Sequence, residues 1–324
     1  MSSDAPRFSI VVPCYNAADT LSETVASALA QTDPDFELIL VDDGSTDETY
    51  ATAQALAATD PRIRFVAQSN GGVASARNCG LSLARGALVA FLDADDLWEP
   101  TKLARHRAVF DGASAIGVTY ARIRFLRPDG TPTAVTSAPM RGPLTVERML
   151  AENVACTMSN VVVRRSVLDR VGWFEEGLAF DEDKAFLFAA FAGGMGFHGI
   201  DAVLTGYRTS PQGLASDIAG MERDWLRFVD LARDIAPEAV DAAFPVARAL
   251  FLRNLARRAL RLGQRGAAGL LLRAVRAAPR AVRVEPRRWL LTGAGAMLST
   301  LAPRAALAAA LDALPSRPCM GDNR

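Results

Sequence analysis

Ala87-Leu88-Val89-Ala90-Phe91-Leu92-Asp93-Ala94-Asp95-Asp96 is a short apolar run that stops at a cluster of acids. A run of this length, bounded by polar residues, reads as a buried strand rather than a helix. The same unit recurs upstream. Ser9–Val12, Phe36–Val41 and Ile63–Ala67 are apolar strands, and Thr20–Gln31, Thr46–Thr59 and Val73–Ala84 carry apolar residues at helical spacing. Strands alternating with helices of roughly a dozen residues imply βαβ units, an α/β fold and a mostly parallel sheet. In such sheets ligands bind beyond the carboxyl ends of the strands. The chemistry-bearing residues fall there, after Val12, Val41, Ala67 and Leu92.

Asp93 and Asp95 stand at i and i+2, so both carboxylates share one face if the backbone stays extended. Two hard carboxylate oxygens at a strand end suit Mg²⁺ or Mn²⁺, with water and phosphate filling the other positions. The alternative is an acidic loop that caps the helix beginning at Lys102. Val41-Asp42-Asp43-Gly44-Ser45 closes the second strand, where one carboxylate can accept from a base N–H or a ribose hydroxyl. It can equally be a capped turn. Asn70-Gly71-Gly72 followed by Val73 to Asn78 lets a ligand or another backbone approach closely, and Arg77 brings a positive charge. Asp181-Glu182-Asp183 precedes an apolar helix. These acids are either ordinary first-turn acids or the source of a general base. His106 and His198, the only histidines, lack metal-ligand spacing.

Taken in order, Pro13-Cys14-Tyr15-Asn16, Val41 to Ser45, Ala76-Arg77-Asn78 and Phe91 to Asp96 resemble the inverting GT-A glycosyltransferases of the large bacterial family 2. Arg164-Arg165, Val171-Gly172-Trp173-Phe174, Glu182-Asp183 and Tyr207-Arg208 extend the resemblance over roughly Phe8 to Ser216. The resemblance implies a GT-A, Rossmann-like sheet with a C-terminal helical appendage. The implied division is a catalytic domain at 1–218, with a nucleotide-sugar half to about 100 and an acceptor half to 218, followed by an Arg- and Ala-rich region at 219–324. It further implies that Pro13, Tyr15 and Asp43 surround the base, that Asp42 helps hold the turn there, that Arg77 lines the nucleotide pocket, that Asp93 faces the ribose or metal, and that Ala94 belongs to the same nucleotide-sugar site. Asp95 would be the main metal ligand, Asp183 the base, and Trp173 and Glu182 part of the acceptor region. The implied donor is a nucleoside-diphosphate sugar, UDP-linked by preference, and the acceptor a saccharide or a lipid-linked sugar. No nucleic-acid partner is expected. One departure stands out: the family often has an aromatic residue and then an acid after this acidic pair, whereas Lys184-Ala185 follow here.

Rival readings meet specific obstacles. A haloacid-type phosphatase also ends an apolar strand in Asp-x-Asp, but on its first strand and followed by Gly-Thr or Gly-Val. Here the motif lies on the fourth strand, with Asp96-Leu97 next. A nucleotidyltransferase needs a Gly-rich N-terminal loop where Pro13-Cys14-Tyr15 stands. A non-catalytic nucleotide-sugar-binding protein has no need of the full set of acids found here.

The remaining sequence concerns location and the appendage. Cys14, Cys79, Cys156 and Cys319 show no paired spacing, which suits a reduced compartment. Met1–Arg7 lacks the apolar core of a signal peptide, and no apolar run reaches the ~20 residues needed to span a bilayer. The expectation is a cytoplasmic protein, peripheral on the inner face of the membrane if the appendage binds lipid. Between Arg248 and Arg288 stand twelve arginines, no lysine and one acid, Glu285. Leu250–Leu262 and Gly266–Ala278 read as a helical hairpin with a Gly-containing turn. Such helices either lie on an anionic membrane, with Trp289–Leu301 inserting shallowly, or pack on the catalytic domain with arginines outward.

Overall fold

A computed structural model of the chain describes residues 5–139, 142–209 and 217–301. Residues 1–4, residues 210–216 at the end of the resemblance, Cys319 and the part of the expected appendage beyond Leu301 lie outside them. Four strands, β1 (Phe8–Cys14), β2 (Phe36–Asp42), β3 (Ile63–Ala67) and β4 (Leu88–Phe91), pair in parallel in the order β3-β2-β1-β4. Helices α1 (Leu21–Leu29), α2 (Thr49–Ala57) and α3 (Val73–Leu83) supply the crossovers. Both faces of β1, β2 and β4 are covered, which is why β1 and β2 read as largely apolar runs, broken only by Ser9 and Glu37. Ile10, Val12, Leu38 and Leu40 turn to one side, with Leu21 and Val25 of α1. Ile39 and Val41 turn to the other, with Ala76 of α3.

The sheet then changes direction. A two-residue strand β5 (Leu97–Trp98) and helix α4 (Lys102–Gly112) lead into β6 (Ile116–Leu126) and its hairpin partner β7 (Pro132–Thr136). Helix α5 (Val146–Ala151) precedes β8 (Val161–Arg164), which is followed by α6 (Arg165–Val171), α7 (Glu182–Ala192) and β9 (Gly196–Arg208). β8 runs antiparallel to both β4 and β6, and β9 pairs with β6 in parallel. Among the described residues this gives one nine-stranded sheet, β3-β2-β1-β4-β8-β6-β9-β5, with β7 on β6.

Four helices follow: α8 (Ile218–Ile235), α9 (Pro237–Arg261), α10 (Ala267–Ala277) and α11 (Pro286–Leu301). The hairpin expected from sequence forms, with Gly263 and Gly266 at positive φ in its turn. Its first helix starts much earlier than Leu250, because α9 continues through Pro245. α8 and α9 bury their apolar faces against the first two thirds of the chain. Trp225 of α8 stacks on Phe251 at 4.5 Å and donates from Nε1 to the Leu150 carbonyl at 2.8 Å. Arg253 of α9 is buried and paired with Glu152, at the end of α5, and with Glu285. Packing against the body therefore accounts for α8 and α9. No helix among the described residues is long and apolar enough to cross a membrane.

Candidate active site

The carboxyl ends of β1, β2 and β3 stand in register, Cys14 beside Asp42 and Asp42 beside Ala67. The loops that leave them interlock. Asn16, held at φ 47°, donates its backbone N–H to Ser45 Oγ at 3.1 Å and accepts the Thr46 N–H at 2.8 Å. Gly44 is required where it stands: φ is +71°, and a Cβ there would lie 2.8 Å from the Asn70 nitrogen. Asp43 accepts from Gln68 Nε2, Gly71 N–H and Gly72 N–H at 2.8, 2.9 and 2.8 Å. Three of the roughly four acceptor positions of its carboxylate are thus spent on the Asn70-Gly71-Gly72 loop. Asp42 accepts weakly from Ser45 N–H through Oδ2, and its buried Oδ1 has no hydrogen-bond partner among the described residues. Pro13 is buried at the base of this wall, and Tyr15, 51% exposed, stands at its rim.

Arg77 of α3 is buried and lies between two acids that are remote in sequence. Nη2 donates to Asp93 at 2.7 Å and Nη1 to Glu182 at 2.8 Å. Its guanidinium carbon lies 5.4 Å from the centre of the Phe174 ring. Burial disfavours the cation, but Asp93 and Glu182 outweigh it and raise the pKa above the ordinary arginine value. The end of β4 and the start of α7 are therefore held within the span of one guanidinium.

Three aspartates follow β4 with different fates. Asp93 is held by Arg77 and lies 3.1 Å from Thr157 Oγ1, while its N–H donates to Ser159 Oγ at 2.9 Å. Asp96 is fully buried, accepts the Arg208 N–H at 2.9 Å, and lies 3.4 Å from Thr157 Oγ1. Burial and the charges of Asp95 and Asp93 push its pKa well up. The carboxylate of Asp95 has no side-chain hydrogen-bond or ion-pair partner among the described residues, and is eased only by its own backbone N–H and the charge of Arg208. Burial, and then the neighbouring Asp93, push its pKa up to about 6. The backbone around it is fixed instead: Ala94 carbonyl accepts from Thr20 and Thr24, and Asp95 carbonyl from Arg208 Nε.

A carboxylate left without a side-chain partner beside a second carboxylate fits a divalent cation. Among the described residues, no group of three or more His, Cys, Asp or Glu side chains is arranged to hold a metal by itself. The residues therefore fit an ion that takes most of its ligands from water and phosphate, as Mg²⁺ commonly does.

Asp183 lies in the first turn of α7. It accepts from Asn153 Nδ2 through one oxygen and from the Lys184 N–H through the other. Burial, then Glu182 and Asp181, push its pKa up to about 7. A carboxylate with that proton affinity suits general-base work near neutrality. Lys184, the departure from the family pattern, faces away from this end. Its ammonium pairs with Asp181 at 2.6 Å and lies over the rings of Phe228 and Phe251, at 5.6 and 5.1 Å. It ties α7 to α8 and α9. Trp173 follows Gly172 and is 51% exposed.

Sequence reading did not single out Thr157, Ser159, Asn153 or Gln68, which orient Asp93, Asp96, Asp183 and Asp43. Gln68 directly follows the end of β3, a signal the sequence did carry, whereas Asn153, Thr157 and Ser159 lie between elements and are revealed by the three-dimensional contacts. Cys156, at φ 72°, marks the strained backbone that delivers Thr157.

Residues 9–172 match the profile described as glycosyl transferase family 2. An uncharacterised glycosyltransferase of Nostoc sp. is 36% identical over 173 residues, covering 51% of this chain and 53% of the relative. An Escherichia coli protein named as a UDP-Glc:α-D-GlcNAc-diphosphoundecaprenol β-1,3-glucosyltransferase is 35% identical, covering 51% of this chain and 61% of its own length. The matches thus span only about half to three fifths of these two relatives. Among solved structures, Staphylococcus aureus TarS in complex with UDP superposes with a TM-score of 0.54 at 18% identity, over 89% of this chain and 90% of that one. The Pyrobaculum calidifontis mannosyltransferase with GDP-Man and Mn²⁺ gives 0.55 at 18% identity, over 97% and 89%. These likenesses carry the fold, which is GT-A with a helical C-terminal region.

Proposed function

The chain belongs to glycosyl transferase family 2, and on that premise we propose that it is an inverting, metal-dependent glycosyltransferase. It moves a sugar from a nucleoside-diphosphate sugar, UDP-linked by preference, to a hydroxyl of a saccharide or lipid-linked acceptor. The product belongs to cell-surface polysaccharide or glycolipid synthesis, made at the cytoplasmic face. Residues 1–218 form the catalytic domain, with the donor half to about 100 and the acceptor half after it, and 219–324 form the appendage. The observation that carries this reading is Arg77 bridging Asp93 and Glu182. In this reading it holds the donor-side Asp93 and the acceptor-side Glu182 within the reach of one guanidinium.

The base and ribose lie along the wall formed by Pro13, Tyr15, Asp42 and Asp43. Asp43 has one acceptor position left for a base N–H, and Asp42 Oδ1 is a second free acceptor. Arg77 lines the pocket behind Asp93 and Ala94. Asp95, with Asp93 beside it, holds Mg²⁺ or Mn²⁺. Bound there, such a cation screens the charge that develops on the departing diphosphate, a contribution of several kcal/mol. Asp183 takes the proton from the acceptor hydroxyl. The oxygen attacks the anomeric carbon from the face opposite the diphosphate, and the sugar–phosphate C–O bond breaks with its electrons on the phosphate oxygen. One displacement inverts the anomeric configuration. Glu182 and Trp173 border the acceptor.

A thermal-shift screen against a panel of nucleotide sugars with Mn²⁺ identifies the donor. Nucleoside diphosphate released only when acceptor is added then separates transfer from binding. A chain that takes up no nucleotide sugar in the presence of Mn²⁺ or Mg²⁺ sinks the reading.

A further inference from the structure

Several arginines of the appendage are paired with acids: Arg253 and Arg288 with Glu152 and Glu285, and Arg273 with Glu222 of α8. Arg265, Arg276, Arg280, Arg283 and Arg287 are exposed, and no acid among the described residues pairs with them. Within 262–301 the only acid is Glu285, already engaged twice.

Helix α11 beside them has two unlike faces. Trp289, Thr292 and Ala296 are buried, and Gly295 lets the helix approach Leu260 of α9 closely. The opposite stripe is apolar and open. Leu290, Leu291 and Leu298 are 74, 59 and 50% exposed, and Ala294 lies between them; Met297 shares the same face. The spacing 290, 291, 294, 297, 298 is one helical face. Arg287 stands four residues before Leu291 on that face, and Arg280 and Arg283 lie in the 3₁₀ turn that leads into the helix. An apolar stripe of this kind marks an interaction surface rather than ordinary exposure.

Charge selects the occupant. A second copy docking through the same patch would bring like arginines together without acids to neutralise them, an unfavourable arrangement. An anionic lipid surface offers phosphates to the arginines and an acyl boundary to the leucines at the same depth. We propose that the α11 face, with the arginine-bearing turn before it, docks peripherally on an anionic membrane. Leu290, Leu291 and Leu298 enter the acyl boundary, and Arg280, Arg283 and Arg287 lie among the headgroup phosphates. This docking depends on the appendage's own surface and is independent of the transfer chemistry proposed above.

The test uses the full chain and sedimentation with vesicles of phosphatidylcholine alone or phosphatidylcholine containing phosphatidylglycerol. Binding is expected to the mixed vesicles and to weaken with salt. Arg280→Gln/Arg283→Gln/Arg287→Gln should weaken it by about a hundredfold, at about fivefold per charge. Leu290→Gln/Leu291→Gln/Leu298→Gln should abolish pelleting while the melting temperature stays unchanged. Wild-type protein that stays in the supernatant, or pellets equally with phosphatidylcholine alone, overturns the proposal. So does a dimer in sedimentation velocity that the triple leucine variant converts to monomer, since the face would then belong to a second copy.

Discussion

Arg77 and Glu182 lie 105 positions apart in sequence, yet Nη1 of one donates to Oε1 of the other at 2.8 Å. Because Nη2 holds Asp93, a single side chain of α3 couples the tip of β4 to the first turn of α7. Replacing it with Met leaves two buried or half-buried carboxylates facing each other. Arg77→Met should cost about 3–5 kcal/mol, the usual result of removing one partner from a buried pair. Arg77→Lys should recover only part, since one ammonium cannot reproduce the fork that grips both acids. Chemical denaturation of the three proteins reads both effects.

Asp95 has no side-chain donor, and burial and Asp93 disfavour its charge. Asp95→Asn should remove Mn²⁺-assisted donor uptake in calorimetry and reduce turnover to background. It should not lower stability, because burial and Asp93 outweigh the help its charge receives from its own N–H and Arg208. A variant with near-native donor affinity would remove Asp95 from the metal site.

Asp183→Asn should leave donor binding intact and lower kcat by about 10²–10⁴-fold, the ordinary share of a general base. The wild-type rate should rise with pH through about 7, because only the ionised carboxylate accepts the acceptor's proton. Stability moves the other way. The pKa rises from the usual 3.8 to about 7 on folding, so the folded state holds a proton that the unfolded state releases. Stability is lost as pH climbs between those values. Asp183→Asn should therefore be more stable than wild type at about pH 8, and the gap should close by about pH 4. Thermal melts across that range check the sign.

Trp225 joins the appendage to α5 through its Leu150 bond and stacks on Phe251. Trp225→Ala should cost about 3–5 kcal/mol, as large-to-small changes at buried aromatics do. Because α8 and α9 share one core with Phe91 and Phe186, wild-type protein should unfold in a single transition by both fluorescence and circular dichroism. Two separate transitions would show that the appendage folds alone.

The N-terminal half of the sheet was legible because β1, β2 and β4 are buried on both faces, which leaves mostly apolar runs, and β2 and β4 end in acids. The acceptor half was less so. β7 is half-exposed, and its Pro- and Thr-rich composition reads as a loop. α6 is only seven residues long. The start of α9 lies earlier than the expected Leu250 because Pro245 ordinarily breaks a helix, and here packing against α5 and α8 outweighs that penalty. Among candidate site residues, the strand-end acids were visible because a strand tip fixes where they project. The Arg77 bridge was not, since nothing in a linear string pairs residues 77 and 182. Lys184 looked like an anomaly in an acceptor pocket; its charge is instead spent on Asp181 and two aromatic rings beneath the cleft.

Because α7 presents Glu182 and Asp183 at its tip while Lys184 grips Phe228 and Phe251 one residue later, no seam separates the front of the enzyme from its back. A chimera joined at residue 218 would carry foreign aromatic partners under the very helix that bears Asp183, the base in the mechanism proposed above. Exchanging appendages between relatives should thus disturb acceptor handling even when every residue lining the cleft is retained, unless those two phenylalanines travel with the graft.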